Sequence, residues 1–71
     1  MTMTTKSLRG AGVTAETAPF VKLALSFGYL QHVIAGYLND NQGRISEMHT
    51  GKKFVEIPMA DELPPDFPVM A

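Results

Sequence analysis

The run Asn39-Asp40-Asn41 constrains this chain most, because it interrupts a stretch that otherwise reads as helix. Before it stands Q-H-V-I-A-G-Y-L, Gln31–Leu38. Here Ala35 offers a small side chain where two short helices can cross, and Leu38 gives an apolar residue one turn on. After it stands Q-G-R-I-S-E-M-H, Gln42–His49, where Ile45 and Met48 lie three apart and so share one helical face. Asparagine tolerates left-handed backbone, so Asn39 can serve where a tight turn usually takes glycine. Asn41 can cap the helix that opens at Gln42. The spacing predicts helix, sharp turn, helix.

The face that the second helix leaves outside is polar: Gln42, Arg44, Ser46, Glu47 and His49. A rod that is greasy on one side and carries amide and guanidinium groups on the other is suited to reading base edges. Its N-terminus presents unpaired N–H groups and the positive end of the helix dipole, a seat for a phosphate. Gly43 lets backbone approach DNA closely. Gln42 can pair bidentately with adenine, and Arg44 with guanine O6 and N7 or with a phosphate. Glu47 either accepts from cytosine N4 or braces Arg44 or a lysine, and the brace is the preferred reading. Thr50-Gly51 ends the helix, and Lys52 and Lys53 follow as point charges for the DNA backbone. Gln31, at the start of the preceding helix, can offer its amide to a phosphate.

The core Asn41-Gln42-Gly43-Arg44-Ile45-Ser46-Glu47-Met48-His49-Thr50-Gly51-Lys52-Lys53-Phe54 resembles that of very small bacterial proteins whose pattern runs N-Q-G-R-I-S-E-x-x-T-G-K-[RK]-F. More broadly, residues 20–57 look like the helix-turn-helix of the phage-repressor and Cro-like superfamily. The resemblance implies a repressor-like transcription regulator that binds double-stranded DNA as a homodimer. Such a protein would be cytoplasmic and associated with the nucleoid through DNA. The expected DNA-contacting set is Gln31, Asn41, Gln42, Gly43, Arg44, Ser46, His49, Thr50, Lys52 and Lys53.

With 71 residues the chain has room for one domain. A core that small is marginal unless something staples it. There is no cysteine, which excludes disulfides and thiolate metal sites and leaves oligomerisation as the expected extra support. The longest apolar stretch, residues 20–38, is broken by Lys22, Gln31 and His32, so no membrane span is expected. Residues 1–12 carry bases but no apolar run after them, so no secretory signal is expected.

The formal net charge is −1, yet it is unevenly spread. Residues 1–53 set Lys6, Arg9, Lys22, Arg44, Lys52 and Lys53 against Glu16, Asp40 and Glu47, a net +3. Residues 54–71 carry Glu56, Asp61, Glu62 and Asp66 and no base, a net −4. Phosphate contacts act over about a Debye length, roughly 8–10 Å, so the local balance counts for more than the total.

The expected fold is all-α: a compact three-helix helix-turn-helix domain over 14–57, a flexible arm over 1–13 and a Pro-rich acidic tail over 58–71. The arm could follow the DNA backbone or simply fray. The first helix is expected over Thr14–Phe27. Thr17 would be its N-cap, Pro19 would fall in its first turn, Gly28 would follow its end, and Phe20, Leu23, Ala24 and Phe27 would form its core face. A rival is one unbroken helix through Phe20, Leu23, Ala24, Phe27, Leu30, Ile34 and Leu38, since Gly28 costs such a helix only about 1 kcal/mol. Phe54-Val55-Glu56-Ile57 reads as a short strand stopped by Pro58, paired with its twin across a two-fold axis or folded back over the helices. The tail reads as extended or disordered, with Leu63, Phe67 and Val69 available to dock on a partner subunit.

No catalytic set is legible. Ser26 and Ser46 have no histidine at a motif spacing, and no Gly-rich phosphate loop occurs. His32 and His49 lack the further ligands a metal needs, and no cofactor is expected. The second functional expectation, of another class, is a protein-interaction module: a subunit of a larger assembly, or a phage-type inhibitor of a host protein.

Overall fold

A computed structural model describes residues 7–51 and 54–69. Its regular elements are α1, Ala18–Ser26; α2, Gln31–Leu38; and α3, Gln42–His49. α3 packs on both α1 and α2, so the molecule is an all-helical bundle around one core. Among the described residues there is no strand.

α1 opens later than the sequence suggests. Thr17 is the N-cap residue, but its side chain makes no cap bond. Instead its hydroxyl donates to the Gly12 carbonyl at 2.8 Å and accepts from the Thr14 N–H at 2.8 Å. This buried hydroxyl ties the preceding loop to the helix and holds residues 14–17 in a turn. Pro19 sits in the first turn, where its missing N–H costs nothing. The buried face also differs from expectation. Ala18, Val21, Leu23 and Ala24 are buried, whereas Phe20 is only half-buried and Phe27 is 54% exposed. Ala18 and Ala24, both fully buried, let neighbouring helices come close, which a phenyl ring would prevent. The N–H of Tyr29 returns to the Ala24 carbonyl around Gly28, ending the helix.

α2 starts after Leu30, whose backbone is extended and offers no side-chain cap. It buries Ile34, Ala35, Tyr37 and Leu38. Asn39 then adopts left-handed backbone, φ 56° and ψ 50°, and the Asp40 N–H bonds back to the Ala35 carbonyl at 3.0 Å. α3 follows after Asn41, whose side chain accepts from the Gly43 N–H at 2.6 Å. Breaks at 27–30 and at 39–41 rule out the single long helix. Ile34, Leu38, Ile45 and Val21 form the centre of the core.

Both ends of the described chain lie on this bundle. Ser7–Val13, the described part of the expected arm, is not free. The N–H groups of Gly10 and Gly12 donate to the carbonyls of Tyr37 and Leu38, each at 2.9 Å, and Val13 is buried. Gly12 is needed there: its φ is +80°, and a Cβ would lie 3.2 Å from Asp40 Oδ2. The expected strand at 54–57 is a turn, closed by the Ile57 N–H on the Phe54 carbonyl at 3.2 Å. The Lys22 ammonium donates to the carbonyls of Phe54 and Ile57, gathering this turn onto α1. Phe54 and Ile57 therefore fold back against the core, the second of the two readings. Farther on, Phe67 is 9% exposed, its ring 5.1 Å from that of Tyr29 and 4.6 Å from that of Tyr37. The residue expected to dock on a partner fills a cleft of its own chain. No helix among the described residues is long and apolar enough to cross a membrane.

Candidate nucleic-acid interface

α3 advances about 100° per residue, so its two buried side chains fix where every other one points. Ile45 and Met48 face the core. The direction opposite them falls near Gly43, Ser46 and Glu47. Gln42 and His49 flank that centre on one side and Arg44 on the other. Gln42, Gly43, Arg44, Glu47 and His49 are exposed, and Ser46 is half-buried.

The N-terminal end of α3 is held by the turn. Asn41 Oδ1 sits so close over the first turn that a Cβ at position 43 would lie 2.9 Å from it. Gly43 thus lets the cap sit close, and a side chain there would displace the end of Asn41, apart from any approach to DNA. Asp40 is the second brace. Its Oδ2 accepts from the Val13 N–H at 2.7 Å, its Oδ1 accepts from the Asn41 N–H at 2.6 Å, and Oδ1 lies 3.5 Å from Arg44 Nε. The Val13 N–H first, then the Asn41 N–H and the Arg44 charge, hold this carboxyl below the usual aspartate range. Arg44 therefore pairs with Asp40 and not with Glu47, which corrects one of the two braces expected for Glu47; the lysine alternatives Lys52 and Lys53 lie outside the described residues. Its guanidinium remains largely exposed, 59%. Sequence reasoning gave Asp40 no part in the site, although its i,i+4 spacing to Arg44 and its place before a helix were visible signals.

Glu47 is the outward residue that the expected contact set left out. Among the described residues its carboxylate forms no ion pair. It stands near the middle of the outer face, so anything that meets α3 squarely meets Glu47. At the far end, the Thr50 hydroxyl donates to the carbonyls of Ser46 and Glu47, at 3.1 and 3.2 Å, and is spent on the helix end. His49 turns toward α1 and lines an open groove of about 290 Å³ with Lys22, Leu25, Ser26, Met48 and Met59. Gln31 lies half-buried at the start of α2. Lys52 and Lys53 lie outside the described residues. The structure thus brings Asn41, Gln42, Gly43, Arg44 and Ser46 together on α3 and its cap, with Thr50 and His49 one to two turns away. Among the described residues no group of three or more His, Asp or Glu side chains is placed to hold a metal ion.

No protein-family model matches the chain, and neither the curated proteins nor the solved structures compared with it show a significant match.

Proposed function

We propose that this chain is a sequence-specific double-stranded DNA-binding protein, a helix-turn-helix transcription regulator that acts as a dimer and is associated with the nucleoid. The observation that carries the reading is the two-sided character of α3. Ile45 and Met48 are sunk into the bundle, while Gln42, Arg44 and Glu47 project from a rod whose start is locked by Asn39, Asp40 and Asn41. α3 enters the major groove by its N-terminal half, and two copies place their helices about one helical turn, roughly 34 Å, apart. Arg44 and Gln42 read bases, while Gln31, Lys52 and Lys53 hold the phosphate backbone; Thr50, its hydroxyl committed to the helix end, drops out of that set. Glu47, at the centre of the face, requires a donor opposite it, and cytosine N4 is the base-edge donor that suits a carboxylate.

Selection of bound sequences from a random duplex pool tests this directly, with a palindrome as the expected product. Arg44→Ala should cost about 1–3 kcal/mol on the selected site and relax preference at one base pair. If Arg44→Ala leaves affinity and preference both intact, α3 does not read the duplex through Arg44.

A second reading, a protein-interaction module, is favoured by a different observation. Among the described residues every arginine and lysine already has a partner in the chain: Arg9 has Asp66, Arg44 has Asp40, and Lys22 has the carbonyls of Phe54 and Ile57. Phe27, Leu30 and Val69 are meanwhile exposed apolar residues, at 54, 61 and 91%. A salt titration with random duplex separates the two. Steep loss of binding with rising salt belongs to the first, and absence of duplex binding to the second.

A further inference from the structure

The two ends of the described chain meet at Asp66. One carboxylate oxygen accepts from the Ser7 hydroxyl, and the other accepts from the Tyr37 hydroxyl at 2.7 Å. The Arg9 guanidinium is held three ways. Its Nε lies 3.5 Å from Asp66 Oδ2, its terminal nitrogen donates to the Asp66 carbonyl at 3.0 Å, and its carbon stands 5.1 Å over the Tyr37 ring. The segment that brings Asp66 there is anchored on both sides. Phe67 is buried between Tyr29 and Tyr37, and the Tyr29 hydroxyl donates to the Pro68 carbonyl at 2.8 Å.

The chemistry of this contact matters more than its strength, because an exposed ion pair is a weak brace. Arg9 belongs to the N-terminal segment, which runs from the turn before α3 back along the end of α2 through Val13, Gly12 and Gly10. A carboxylate backed by a carbonyl offers a guanidinium two oxygens, as a phosphate does. Lys22 differs: its partners are uncharged carbonyls, so no anion occupies it.

We infer that residues 64–68 form an autoinhibitory strap, in which Asp66 stands in for a backbone phosphate and withholds Arg9 from DNA. This rests on the DNA-binding reading. A duplex phosphate and the Asp66 carboxylate then compete for one guanidinium. Release of Arg9 from Asp66, with Phe67 still seated against Tyr29 and Tyr37, adds one phosphate contact without any change in α3. A polyanion at high local density is what displaces the carboxylate.

The test compares the full chain with Asp66→Asn, Arg9→Gln and the double variant, on a random-sequence duplex at low salt. Asparagine keeps an acceptor for Tyr37 but loses the charge that holds Arg9. Asp61→Asn, an exposed tail acid, controls for the loss of one negative charge at a distance. Exchange protection of the Leu8 amide, which donates to Tyr37 Oη at 2.9 Å, reports strap and arm packing without DNA. The expected result is a gain of about three- to tenfold in affinity for Asp66→Asn, with a log–log salt slope steeper by about one. The gain should vanish when Arg9→Gln is added and be absent in Asp61→Asn. Equal binding by the full chain and Asp66→Asn, or a gain that survives Arg9→Gln or is matched by Asp61→Asn, overturns the inhibitory role alone. Failure of every protein to bind duplex, with circular dichroism showing all of them folded, overturns the DNA-binding reading and the inhibitory role with it.

Discussion

The turn before α3 and the clasp of the two chain ends both depend on one aspartate, but they are built from contacts of opposite range. At the turn, Asp40 serves Asn41 next to it and Arg44 one helical turn on, and only Val13 comes from farther away. At the clasp, Asp66 reaches back 57 to 59 positions to Arg9 and Ser7, and Phe67 enters a cleft between rings from α2 and the loop before it. A contact between chain neighbours costs little loop entropy. A contact between chain ends must first close nearly the whole chain. The clasp therefore needs a large apolar payload to form at all, and Phe67 supplies it. The turn needs only the right backbone at Asn39 and the right cap at Asn41.

The largest expected effect breaks this comparison on the side of the clasp. Phe67→Ala should destabilise the domain by about 3–5 kcal/mol, the usual range for deleting a buried phenyl ring. In a domain this small each kcal/mol lowers the melting temperature by about 4–8 °C, so thermal circular dichroism reads the change easily. A loss below about 1 kcal/mol would mean that the C-terminal segment lies on the bundle without belonging to its core.

A smaller effect sharpens the comparison on the side of the turn. Asn39 holds left-handed backbone at φ 56°, which for an ordinary L-residue costs roughly 1–2 kcal/mol and for glycine almost nothing. Asn39→Ala should thus shift the urea midpoint down by an amount worth about 1 kcal/mol, while Asn39→Gly should leave it nearly in place. Equal loss for both variants would assign the role of Asn39 to its side chain and not to its backbone.

The range of these contacts also explains what could be read in the sequence. α2 and α3 begin and end where the pattern put them, at Gln31, Leu38, Gln42 and His49, because Asn39 and Asn41 act within a few residues of themselves. The α1 face departs from the pattern because Phe20 and Phe27 keep helical spacing, yet the core takes the small Ala18 and Ala24 instead. Nothing near residue 67 tells that its ring meets Tyr29 and Tyr37, so the tail read as loose or waiting for a partner. The strand expected at 54–57 failed for a similar reason: Lys22, far back in α1, draws its carbonyls into a turn. In the candidate site, Arg44 and Gln42 were legible as exposed groups on a half-buried helix. That Asp40 and not Glu47 pairs with Arg44 depended on the Val13 N–H fixing the Asp40 carboxylate in place.

The smallest effect compares the two aspartates by acid. Both carboxyls sit below the ordinary value of 3.8: Asp40 chiefly through the Val13 and Asn41 N–H groups, Asp66 chiefly through the Ser7 and Tyr37 hydroxyls. A folded-state pKa lower than the unfolded one contributes stability that is complete above the unfolded value and fades as pH falls through the folded one. These two groups should therefore leave stability level between about pH 7 and 5 and weaken it below about pH 4. Tyr37 stays protonated across this window, since burial and then the neighbouring Asp66 raise its pKa above 10.0, so it remains a donor to Asp66 throughout. Hydrogen exchange followed at two amides separates the sites, because Val13 donates to Asp40 and Leu8 to Tyr37 at the clasp. Asp66→Asn should flatten the acid response at Leu8 and leave that at Val13, and Asp40→Asn should do the reverse. If either variant flattens both, the turn and the clasp open as one unit, joined through the run Leu8–Val13 that touches both, and an event at the tail would then reach the start of α3.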